Sequence, residues 1–109
     1  MKIDLSQIYQ VEKATLSELK QMQQKFAKFA DQAAAYERST HRYQNRTGNL
    51  EGSTRGYATR QGNEIEVSLE MGMDYASYIV DKGFSNIDVA EKMLETSIEN
   101  YLTRLGFDL

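Results

Sequence analysis

From Glu64 to Glu70 the chain alternates without a break, with Ile65, Val67 and Leu69 on one side and Glu64, Glu66, Ser68 and Glu70 on the other. A period of two is the signature of a β-strand with one buried and one solvated face. Upstream, Thr54–Arg60 supplies a second strand, with Tyr57 and Thr59 as strand formers and Gly56 as its weak spot. Gln61-Gly62-Asn63 lies between them, and Gly and Asn tolerate the positive φ of a tight turn. Together they predict an antiparallel hairpin. A lone hairpin is marginal in water, so helices or further strands must cover its apolar face.

The covering elements are expected on either side. Leu5, Ile8, Leu19, Met22, Phe26, Phe29, Ala33 and Tyr36 follow steps of three and four, with Leu16 and Ala30 widening the stripe. No Gly or Pro precedes Gly48, and Asp4 with Gln7 resembles a capping box, so a helix is expected from Asp4 to about Thr40. Its weak places are Glu12 and Thr15. Such a helix would span roughly 55 Å, against a radius of gyration of about 13 Å for a domain of this size. Three outcomes stay open: a bend near Glu12–Ser17, packing of the first half on another subunit, or a frayed start. Beyond the hairpin, Asp74 can cap a short helix ended by Gly83. A last helix is expected from about Ile87 to Leu105, capped by Ser85 or Asn86 and stopped by Gly106. The expected fold class is α+β in a single domain, 1–109. It comprises a long helix over 1–40, a loop and hairpin over 41–70, a short helix over 74–83 and a C-terminal helix over 86–105.

Composition narrows the function classes. Without Cys there is no disulfide framework and no thiolate site. With one His as well, transition-metal centres are nearly excluded. No apolar run has the length of a bilayer span or a signal peptide, so no membrane partner is expected. The formal net charge of -3 speaks against general nucleic-acid binding. That charge is unevenly spread. Arg38–Arg60 holds five Arg and Glu51, or +4; the rest holds eight Lys/Arg and fifteen Asp/Glu, or -7. Arg38, Arg42, Arg46, Arg55 and Arg60 interleave with Tyr36, Tyr43 and Tyr57, a pattern that binds single strands when the cations converge. The competing reading pairs these Arg with the surplus acids elsewhere on the chain or on a neighbour.

Catalytic constellations are thin. His41 sits among Arg residues at a helix end, and Ser53 and Thr54 have no base to activate them. Gly48–Thr54 lacks the Lys, the spacing and the preceding strand of a phosphate loop. Glu64, Glu66 and Glu70 come from a single strand face, whereas a hard-cation cage draws oxygen ligands from several elements. No enzyme activity and no cofactor is expected.

Two motifs carry a family resemblance. Arg46-Thr47-Gly48-Asn49-Leu50, followed by Ser53 and then a strand, resembles the TG-x-L-x-x-S signature of the minor tail component, or head–tail joining, proteins of long-tailed bacteriophages. The segment from Asp74 to Gly83, Asp-Tyr-Ala-Ser-Tyr-Ile-Val-Asp-Lys-Gly, resembles their Tyr-Ala-x-Tyr-Val-Glu-x-Gly segment. The likeness covers Arg46–Phe84, about a third of the chain. It departs from the family at Ile79, at Asp81, which stands one place late, and at Phe84-Ser85-Asn86, where a Thr and a Pro-Phe element are usual.

The resemblance implies a non-enzymatic virion protein of a phage or prophage. Such a protein completes or joins the tail by oligomerising at the head–tail junction (neck) or tail end. It also implies a homo-oligomer, with a ring on assembly, other neck or tail proteins as partners, and DNA only as passing cargo. The place would be the virion, and the host cytoplasm before assembly. Arg46, Thr47, Gly48 and Leu50 would shape the joining loop. Tyr75, Tyr78 and Asp81 would fix the short helix against the hairpin or a neighbour, or would be plain core residues beside an exposed acid. Glu64, Glu66 and Glu70 would face the channel, where negative charge keeps passing DNA from sticking. Two other functions stay open at this point: a small nucleic-acid-binding module working through Arg38–Arg60, and a coiled-coil adaptor built on the helix Asp4–Thr40.

Overall fold

The computed structural model describes residues 3–40, 54–72 and 86–107. Strand β1 (Ile3–Gln10) leads into helix α1 (Leu16–Thr40). Strands β2 (Thr54–Gln61) and β3 (Glu64–Met71) follow, and helix α2 (Ile87–Arg104) comes last. The sheet is antiparallel in the order β1-β3-β2, so the clearest strand of the sequence is the central one. Helix α1 lies across β2 and β3, and α2 packs beside it. The fold is α+β, with a long helix, a three-stranded antiparallel sheet and a C-terminal helix.

The hairpin forms where the period of two places it. Gly62 and Asn63 are its two loop residues, and Gln61 pairs with Glu64. Gly62 has φ 62° and Asn63 a negative φ, the pattern of a type II′ turn, which matches the twist of the flanking strands. Ile65, Val67, Leu69 and Met71 face the helices and are fully buried. They meet Leu19, Met22, Phe26, Ala30, Ala33 and Ala34 of α1 and Ile87, Ala90, Leu94, Ile98 and Leu102 of α2 in one core. Helix α2 ends as expected at Gly106 (φ 88°). The Gly106 N–H bonds to the Thr103 carbonyl at 3.0 Å and the Phe107 N–H to the Leu102 carbonyl at 3.0 Å, which makes a Schellman motif. Asn86 occupies its N-cap without a side-chain capping bond.

The long helix is corrected at its start. Residues 3–10 are a strand, paired in register with β3 from Ile3↔Met71 to Gln10↔Glu64. Helix α1 has 25 residues, about 37 Å at 1.5 Å per residue, which removes the mismatch between helix and domain length. Neither a bend in a continuous helix nor a frayed start is needed, and Asp4 and Gln7 cap nothing. The cap is Thr15. Its Oγ1 accepts the Glu18 N–H at 3.2 Å, while Glu18 Oε1 accepts the Thr15 N–H at 3.1 Å, a reciprocal capping box. The coiled-coil alternative built on Asp4–Thr40 loses its first third, residues 4–15, to β1 and the connection that follows it. Thr15→Ala is expected to cost about 1 kcal/mol of stability, read as a lowered urea midpoint at unchanged slope.

Two smaller corrections concern the helix faces. Leu16, counted in the stripe, is 57% exposed, whereas Glu37, outside it, is fully buried. Met93 and Leu105 of the α2 stripe are also exposed, because the sheet and α1 cover only the Ile87–Leu102 line. The predicted short helix over 74–83 lies outside the described residues.

Candidate functional site: the open face and flanks of the sheet

The helices cover one face of the sheet. The other is built from alternate residues of each strand: Asp4, Ser6, Ile8 and Gln10 of β1, Glu64, Glu66, Ser68 and Glu70 of β3, and Arg55, Tyr57, Thr59 and Gln61 of β2. Residues opposite one another in an antiparallel register share a face, so these twelve form four rows across the sheet. The rows are Asp4–Glu70–Arg55, Ser6–Ser68–Tyr57, Ile8–Glu66–Thr59 and Gln10–Glu64–Gln61. Among these twelve described residues four carboxylates stand against a single guanidinium.

Of the three acids expected to be solvated there, Glu64 and Glu66 are exposed, and Glu64 accepts a bond from Gln10 Nε2 at 3.1 Å. Glu70 is corrected. It points to the same face but is 3% exposed, and Tyr57 Oη donates to its Oε2 at 2.7 Å. A channel-facing role therefore fits the exposed Glu64 and Glu66, not Glu70. Beside it Ser68 is buried, with its Oγ 3.0 Å from Ser6 Oγ, and Ser6 Oγ donates to Asp4 Oδ1 at 2.6 Å. Ile8 is 61% exposed and joins Thr59, Gln61, Glu64 and Glu66 around a depression of about 90 Å³.

The Tyr57 phenol titrates above its ordinary range. The bond to Glu70 is the main cause, followed by partial burial, with the charges of Glu70 and Asp4 adding to it and a bond to Ser68 opposing. Tyr57→Phe leaves a buried carboxylate oxygen without this donor. It is expected to cost about 1–3 kcal/mol, checked by urea unfolding, while Thr59→Val on the same face serves as a near-neutral control.

The helix-side flank of β1 is acidic. Gln7 Nε2 donates to Glu91 Oε1 at 3.5 Å, and Tyr9 lies near Glu95 and Glu99. These three glutamates stand at i, i+4 and i+8 on one stripe of α2. The Tyr9 phenol, which donates to Gln7 Oε1 at 2.8 Å, is pushed up to about 12 by burial first and by the Glu95 and Glu99 charges next. The folded state thus holds this proton above the unfolded value. Its contribution to stability is complete below about pH 10 and is lost as pH rises toward about 12. Urea midpoints are expected to fall across that window, and Tyr9→Phe should flatten the decline.

The Arg38–Arg60 segment does not converge in its described part. Arg38 Nη1 donates to the Thr54 carbonyl at 2.7 Å and ties the end of α1 to the start of β2. Arg55 points to the open face, whereas Arg60, opposite Ile65, points to the helix side and donates to the Gly62 carbonyl at 2.8 Å. His41, Arg42, Arg46, Thr47, Gly48, Leu50, Tyr75, Tyr78 and Asp81 lie outside the described residues.

Sequence reasoning missed Asp4, Ser6 and Ile8, because it placed them on a helix. Two signals point to them: Ile3, Leu5 and Tyr9 alternate with polar Asp4, Ser6 and Gln10, and Thr15-x-x-Glu18 marks a later helix start. Among the described residues no group of three or more His, Cys, Asp or Glu is placed to hold a metal ion, and no helix is long and apolar enough to cross a membrane. Comparison with protein-family models, with curated proteins and with solved structures finds no match to this chain.

Proposed function

We propose that this chain is a non-enzymatic structural protein of a bacteriophage or prophage virion, which oligomerises at the head–tail junction or tail end and completes or joins the tail. The observation that carries this reading is the one-sided sheet. Its helices sit on one face, and among the described residues its other face exposes Asp4, Glu64 and Glu66 against Arg55 alone, with Glu70 buried beside Tyr57. An acidic open face suits a wall past which DNA moves without sticking, since like charges repel across a narrow channel. The Arg46–Leu50 and Asp74–Gly83 resemblances point the same way, with further copies of this chain and other neck or tail proteins as partners and no cofactor.

The test is binding of gold-labelled protein to purified tails and capsids of the phage concerned, viewed by electron microscopy. Label at the head-proximal tail end or at the capsid connector is the expected result. Absence of label from both, together with a salt-sensitive shift of the free protein on a short DNA oligomer, overturns it in favour of nucleic-acid binding through the Arg38–Arg60 segment.

A further inference from the structure

The two sides of the sheet differ in backbone and in charge. The two-residue hairpin closes on Gln61 and Glu64, so Arg55, Tyr57, Thr59 and Gln61 exchange backbone bonds with β3. Ile65, Val67, Leu69 and Met71 of β3 then turn their backbone groups to β1, and Asp4, Ser6, Ile8 and Gln10 turn theirs outward. Among the described residues no element pairs with that outer edge. The strand itself has no Lys and no Pro to guard that edge, and Asp4 is its one charged residue. On β2 the outward carbonyls of Thr54 and Ala58 instead receive bonds from α1, from Arg38 Nη1 at 2.7 Å and Gln23 Nε2 at 3.3 Å.

Charge follows the same division. The β1 side presents Asp4 at the level of the open face and Glu91, Glu95 and Glu99 at the level of the helices. The β2 side presents Arg55 on the open face and Arg60 toward the helices. The levels agree along the strands as well. Arg55 shares a row with Asp4 through Glu70, and Arg60 shares a row with Tyr9 through Ile65, where Tyr9 lies near Glu95 and Glu99.

We infer that a second copy of this chain docks head-to-tail, its basic β2 side against the acidic β1 side of the first. Arg55 then meets Asp4, and Arg60 meets Glu95 and Glu99, with no shift along the strands. Two-fold pairings are disfavoured. Joining β1 to β1 brings the Glu91–Glu95–Glu99 stripes together, and joining β2 to β2 brings the arginines together, so like charges face each other. A head-to-tail contact uses two different patches and propagates, closing into a ring or running into a filament. The inference rests on the assembly role proposed above for its biological setting, and on the two flanks for its geometry.

The chain has no Cys, so single cysteines can report the contact. Ile8→Cys and Thr59→Cys share a row through Glu66, are exposed and leave Asp4 and Arg55 in place; they are checked for folding by circular dichroism and treated with a short bis-maleimide. The doubly substituted chain is expected to give a ladder beyond the dimer. A mixture of the two single variants is expected to give dimers several-fold above either alone. Adding Glu95→Lys and Glu99→Lys to the doubly substituted chain should remove the ladder. Absence of a ladder, equal cross-linking by a single variant alone, or a ladder that survives the lysine substitutions overturns the head-to-tail contact. The two ideas fail separately. A chain that binds tails or capsids but forms no ladder loses this contact and keeps the proposed function; a chain that forms the ladder and binds neither particle does the reverse.

Discussion

Gly56→Ala is expected to destabilise the protein by roughly 3 kcal/mol, at the upper end of what one extra methyl costs in a packed interior. A Cβ at Gly56 would lie 2.2 Å from the Ala30 carbonyl oxygen, 2.4 Å from its carbon and 2.8 Å from its Cβ. Helix α1 crosses β2 at this point, and the two closest atoms are helix backbone, so no rotamer change relieves the clash. The helix must lift from the strand and open contacts along the line of Met22, Phe26, Ala30 and Ala33. A domain of this size has about 5–15 kcal/mol of total stability, so the loss takes a large part of it. Urea unfolding of the wild type and variant measures it. Ala30→Gly in the Gly56→Ala background should restore little, because it removes only the most distant of the three contacts. A cost below about 0.5 kcal/mol, within the usual range for a surface change, would contradict so close a crossing.

Phe26→Ala is the second large effect, at about 3–5 kcal/mol. Phe26 is fully buried at the junction of three elements. Its ring meets Tyr9 of β1 edge-on at 5.6 Å between centroids and Tyr101 of α2 at 6.1 Å, and Tyr101 in turn meets Phe29 at 6.0 Å. Truncation therefore leaves a cavity and also removes edge-to-face contacts, each worth about 0.5–1.5 kcal/mol beyond burial. Phe26→Leu keeps most of the volume and loses only the ring contacts, so it should cost clearly less. Chemical denaturation separates the two variants, and the near-ultraviolet circular dichroism of Tyr9 and Tyr101 should weaken in both. If Phe26→Leu costs as much as Phe26→Ala, the aromatic row, and not the volume, carries the energy.

Both sites show where legibility ends. Gly56 reads as a weak spot in a strand, because Gly has a low β propensity. The structure makes it the place where a strand admits a helix backbone, and only the path of α1 reveals that. Phe26 reads correctly as a core position from the spacing of Leu19, Met22 and Phe26, but its partner Tyr9 reads as part of the same helix and lies instead on β1. Glu70 follows the strand alternation correctly, yet alternation specifies a face and not its exposure. Its burial depends on what else crowds the sheet beside it, including the Tyr57 ring carried by β2.

Local chemistry was enough for several elements. The unbroken alternation of Glu64–Glu70, the Gly62 turn, the Schellman stop at Gly106 and the helical face of Leu19–Ala33 each rest on interactions between near neighbours in the chain, so the sequence alone determined them. The first ten residues could not be read in that way. Gln7 and Ile8 interrupt the alternation of Ile3–Gln10, so the segment fits a helical stripe about as well as a strand. What decides is β3, more than fifty positions away, whose backbone pairs with Ile3, Leu5, Gln7 and Tyr9. A strand takes its hydrogen bonds from a distant partner, whereas a helix takes them from within. The tertiary structure therefore decided β1, and with it the acidic flank and the open edge.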